Sequence, residues 1–149
     1  MTFLRIIFGY ILAVIVAVLA ASTFYSHQVL AKQEAIGVEF TGAQRLQAYT
    51  DNLIGLAPSY GGVVAIGLLI AFPVAAGLKR VLKPLAAIAY PAAGAAALFT
   101  VVWSIENLMA GGGTGAIGGA RDAVGMGLQA VAGALGGLTF ALVSGGWRR

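Results

Sequence analysis

Four long apolar stretches divide the chain, at residues 4–26, 60–79, 84–105 and 122–146, and charged positions are confined to their ends and to what lies between them. Each stretch is close to the ~20 residues a helix needs to cross a ~30 Å hydrocarbon core. Lipid leaves unpaired backbone groups unsolvated, so a helix is the economical way for each to cross. The pattern therefore predicts an all-α integral membrane protein, with one four-helix domain over residues 1–149.

The first stretch carries Leu4, Ile6, Ile7, Ile11, Leu12, Val14, Ile15, Val16, Val18 and Leu19, bulky side chains around the whole helix circumference. A helix apolar all round suits contact with lipid. Arg5 before an apolar run, with Val18-Leu19-Ala20 further on, also resembles a secretory leader, but the run continues to about Tyr25 and exceeds the usual leader core. A retained span is the expectation. No Gly or Pro interrupts residues 10–36, so the helix is expected to run on toward Ile36.

Residues 27–59 read as an external loop containing one short amphipathic helix. Thr41-Gly42-Ala43-Gln44 matches a capping box. Leu46, Tyr49, Leu53 and Ile54 follow at helical spacing, with Gly55 and Pro58 as stop signals. This helix, 41–54, is expected to lie on the membrane surface or to cap the bundle, with Leu46, Tyr49 and Leu53 inward.

Later spans have another character: 18 of the 22 glycines follow Tyr60. Small residues let helix backbones approach closely, the main source of tight association where lipid supplies no hydrophobic driving force. In span four, Gly125, Gln129, Gly133, Gly137, Ala141 and Gly145 share one i, i+4 stripe, which makes it the expected helix-contact face. Pro73 and Pro91 are each expected to remove a helical hydrogen bond and to kink their spans.

Charge sets the threading. Arg5, Lys79, Arg80, Lys83, Arg148 and Arg149 lie at one side of the spans, whereas all five acids lie at the other with Lys32, Arg45 and Arg121. By the positive-inside rule both termini are cytoplasmic. The net charge of +4 is scattered singly at span ends and forms no run, so orientation and anionic headgroups account for it and nucleic acid does not. At 60 % hydrophobic and 9 % charged, the chain leaves no material for a separate soluble domain. The Ala/Gly-rich composition suits a bacterial inner (plasma) membrane.

Candidate chemistry is sparse. Residues 113–118 match the dinucleotide fingerprint letter for letter, yet no strand precedes them and the apolar fourth span occupies the place of the required acid. The match is accidental. With no cysteine and a single histidine, His27, the chain offers no metal or haem ligand set. Glu106, Arg121 and Asp122 form an expected external charge cluster: Glu106 paired with Arg121 across the Gly-rich loop, and Asp122 at the start of span four. No ionisable residue occupies the middle of a span, which argues against an ion-coupled carrier. Gln129, Thr100, Thr139 and Tyr90 would line a neutral path or join helices.

The expected function is that of a small, non-enzymatic integral membrane subunit without cofactors. Its expected partners are the lipid bilayer and either further copies of itself or other membrane subunits. An oligomeric channel or carrier for a small neutral or lipophilic molecule is the alternative.

Overall fold

Helix α1, Thr2–Ala35, stops where Gly37 takes a positive φ of 91°. There the Val38 amide donates to the Gln33 carbonyl at 3.1 Å and the Gly37 amide to Glu34 at 2.9 Å, the paired bonds of a Schellman stop. Six residues later α2 (Gly42–Val81) begins with the predicted capping box. The Gln44 amide donates to Thr41 Oγ1 at 3.3 Å, and the Thr41 amide donates back to Gln44 Oε1 at 2.8 Å. Helix α3 (Ala89–Ser104) passes into a π-helical turn, Ile105–Met109, and α4 covers Ala123–Ser144. The computed structural model describes residues 2–81, 87–109 and 122–145. Helix covers 92 % of these residues, and no strand occurs among them.

Consecutive helices run antiparallel and close a ring, α1 against α2, α2 against α3, α3 against α4 and α4 against α1. Gly9 near the start of α1 lies beside Val143 and Ser144 near the end of α4. Both described ends of the chain therefore sit at one end of the bundle. α1, α2 and α4 are long and apolar enough to cross a membrane. The α-helical part of α3, 16 residues, is about 24 Å long, and the π turn extends it. Large apolar side chains such as Phe8, Ile11, Ile15, Ile66, Ile70 and Leu142 point outward, while Ala13, Ala17, Ala21 and Gly133 point inward. Bulky-out and small-in is compatible with a lipid surround.

Three expectations are corrected. Residues 27–59 are not a loop holding a separate helix, because only residues 36–41 leave helical conformation. Gly55 and Pro58 do not stop the helix: 41–54 is the opening of the 40-residue α2. A Gly and a Pro inside a helix cost roughly 1 and 3 kcal/mol in propensity. Flanking contacts offset that: Leu56 and Ala57 rest on the core, Tyr60 is buried, and Asn52 Nδ2 donates to Ser26 Oγ at 3.1 Å. Gly55 and Pro58 themselves are exposed. The third correction concerns Pro91. The helix starts at Ala89, so Pro91 stands in its first turn, where an amide has no intrahelical partner to lose.

Candidate functional site

The bundle interior is layered, and each layer draws on several helices. At the end holding the chain termini, Tyr10, Phe72, Tyr90 and Phe140 contribute one ring from each helix. Phe72 stacks on Phe140 at 4.4 Å between centroids, and Tyr90 meets both edge-on at 5.9 and 5.0 Å. Tyr10 adds a third edge contact, on Phe72, and donates its hydroxyl to the Ala65 carbonyl at 2.6 Å. Such ring pairs are each worth about 0.5–1.5 kcal/mol beyond the area they bury.

The middle layer is aliphatic and tight. Val64, Leu68, Leu98 and Val102 are fully buried. Gly94 of α3 and Gly133 of α4 face each other so closely that a Cβ on either would overlap the other's carbonyl oxygen. A Cβ on Gly137 would overlap the Tyr90 carbonyl, and one on Gly136 would press on Ala13 and Ala17 of α1. Glycine is required at these positions by backbone approach, and lost contact there has no hydrophobic compensation in lipid.

Polar groups gather in the half nearer the α1–α2 connection. Gln129, 2 % exposed, donates through Nε2 to the Ala21 carbonyl at 3.1 Å and accepts the Tyr60 hydroxyl at 2.8 Å through Oε1. One carboxamide thus joins α4 to α1 and α2. Ser26 is fully buried and bonds the Ser22 carbonyl at 2.9 Å, while the buried Ser22 hydroxyl has no hydrogen-bond partner among the described residues. Glu106, in the π turn, is also buried, at 4 % exposure. Burying a carboxyl in an apolar bundle is costly unless polar or charged partners satisfy it.

The predicted residues divide between these layers and the rim. Gly125, Gln129, Gly133, Gly137 and Ala141 all lie buried on one face of α4, with Gly133 and Gly137 against α3. Tyr90 belongs to the aromatic layer, Thr139 bonds its own helix at Leu135, and Thr100 is exposed. Glu106 is buried, and its expected partner Arg121 lies outside the described residues. Asp122 caps α4 by accepting the Gly125 amide at 2.7 Å and pairs with Lys32 of α1 at 3.1 Å. These contacts hold the Asp122 carboxyl below its ordinary pKa of 3.8, the Gly125 amide contributing most and Lys32 next. Arg45 pairs with Glu34, joining α2 to α1 beyond the core. Leu46 and His27 are exposed, whereas Tyr49 and Leu53 are half-buried. The Gly-rich stretch with its fingerprint match at 113–118, together with Lys83, Arg121, Arg148 and Arg149, lies outside the described residues.

Sequence reasoning missed the ring cluster, the Tyr60–Gln129 bond and the burial of Glu106. The rings stand in four different spans with no common spacing to connect them. For Glu106 a signal was present: it follows Trp103 and Ile105 at the end of an apolar run, where one turn of altered helical phase decides whether it faces in or out. Among the described residues no group of three His, Asp or Glu side chains is placed to hold a metal ion. No protein-family model, curated protein or solved structure matches the chain.

Proposed function

We propose that the protein is a small, non-enzymatic integral membrane subunit that assembles with itself or with a larger membrane complex. It would thread the inner (plasma) membrane with both termini cytoplasmic. The observation that carries this reading is the closed middle of the bundle, where Val64, Leu68, Leu98 and Val102 are fully buried beside glycine contacts that leave no lumen between the helices. A bundle plugged in this way suits a rigid piece of an assembly, and its apolar exterior supplies the surface on which membrane helices associate.

A second reading, an oligomeric channel or carrier for a small neutral or lipophilic molecule, is favoured by the polar layer: buried Glu106 and the unpartnered Ser22 hydroxyl. Any path of that kind would have to run between protomers or open by helix movement. Purification in mild detergent with native mass measurement tests both. A stable complex with another membrane protein, or a defined oligomer without flux in liposomes, is the expected result. Solute flux that Glu106→Gln abolishes while the mass stays unchanged would favour the carrier and overturn the subunit reading. Threading is tested separately by single cysteines at Glu34 and Arg45, which an impermeant thiol reagent should label in intact cells, against one at Arg149, which it should not.

A further inference from the structure

Between α2 and α3 the outer wall of the bundle opens into a groove of about 670 Å³, lined by apolar side chains except for Thr100 and Lys79. Ala89, Ala92, Ala93 and Ala96 form its floor on α3, and Ile66, Ile70 and Val74 line it on α2. It extends from Val63 to Lys79, about 24 Å at the helical rise, more than one leaflet of a ~30 Å hydrocarbon core. Its two ends differ. At one end Lys79 is half-buried, with its ammonium 4.9 Å from the centroid of the buried Tyr90 ring, and Arg80 follows it in sequence.

We propose that this groove is a binding site for an anionic phospholipid of the leaflet at the Lys79 end, with one acyl chain along the alanine floor and the phosphate at the Lys79 ammonium. The proposal rests on the membrane reading above and not on the subunit role. Charge and shape together select the occupant. A cation fixed at one end of an otherwise apolar trough complements a molecule with one anionic end and one long apolar tail. A helix of a second copy is about 10 Å across and has no need of a cation at headgroup depth, whereas a single chain is slender enough to fill an alanine-floored trough. The Tyr90 ring holds the ammonium by cation–π attraction, which keeps it at the mouth of the groove.

The full chain in nanodiscs of equal phosphatidylglycerol and phosphatidylcholine, purified and then analysed for bound lipid by native mass spectrometry, reads the site directly. Phosphatidylglycerol should be retained about fivefold over phosphatidylcholine, the preference expected of one lysine at the membrane surface. Lys79→Gln should abolish that preference, and Ala93→Phe should fill the trough and reduce retention of both lipids. Arg5→Gln, a cation on α1 away from the groove, should change neither. Equal retention of the two lipids by the unaltered chain, or an unchanged preference in Lys79→Gln, overturns the proposal. So does a lipid-free dimer that Ala93→Phe dissociates, since the occupant would then be a second copy. A chain that stays soluble without detergent would instead refute the membrane reading.

Discussion

The Tyr60 hydroxyl and the Gln129 carboxamide satisfy each other at 2.8 Å inside an apolar bundle, 69 residues apart in sequence. Breaking this bond from either side leaves the other group buried without that partner. Interhelical hydrogen bonds in membranes average about 0.6 kcal/mol and reach ~1.7. Tyr60→Phe and Gln129→Leu are each expected to cost about 1–2 kcal/mol. The double variant should cost less than their sum, because the second change removes the orphan left by the first. Unfolding titrations in mixed micelles check this; strict additivity would show that the two groups do not act as a pair.

Gly94→Ala, Gly133→Ala and Gly137→Leu should destabilise the bundle by about 1–3 kcal/mol or more, as each new side chain strikes backbone carbonyls that cannot move aside. Gly127→Ala on the same helix meets open space and should be neutral or stabilising by up to ~1 kcal/mol through helix propensity. Val16→Leu on α1 should be nearly silent. Thermal stability in detergent separates these classes, and a Gly137→Leu variant as stable as the parent would place that face of α4 toward lipid.

Asp122 gives the start of α4 an acid-sensitive anchor. Its folded pKa lies below 3.8, so the ionised cap stabilises the fold above the unfolded value, and that contribution is lost as pH falls through the lower folded value. Asp122→Asn keeps a capping acceptor but loses the Lys32 partner and the acid dependence. Asp122→Ala loses the cap as well, at about 1 kcal/mol. Melting curves from pH 7 down to the acid limb should show a steeper fall for the parent than for Asp122→Asn.

The α2 extension makes opposite predictions for two leucines about two turns apart on one helical face. Leu46 is 70 % exposed and Leu53 half-buried. Leu53→Asp should loosen the α1–α2 hairpin by about 1–2 kcal/mol, because a charge is forced against apolar neighbours. Leu46→Asp should be tolerated within ~0.5 kcal/mol. Amide exchange across 42–59 reports the seating; exchange as fast as in an unstructured loop, in the parent protein, would contradict a continuous α2.

The four helices, the capping box and the stripe on α4 were legible because each is written in local spacing, apolar period or glycine register. The continuity of α2 was not. Gly55 and Pro58 are genuine stop signals, and what overrides them is tertiary: Asn52 reaching Ser26 and Tyr60 reaching Gln129. Pro91 was misplaced for a related reason, since an apolar run does not reveal at which residue its helix begins. The Tyr60–Gln129 bond escaped notice because its two residues stand 69 apart, in different spans, with no local spacing to connect them.

The hairpin of α1 and α2 outlasts its neighbours. Judged from the Ala21–Gln129 register, it stands roughly 10 Å beyond the first residue of α4, stiffened at its tip by Arg45 and Glu34. Both helices run on from that tip to the aromatic layer, α1 with no glycine or proline between Tyr10 and Ile36 and α2 through Gly55 and Pro58. A displacement of the six-residue crest therefore has two continuous helices along which to reach Tyr10 and Phe72 at the other end of the bundle.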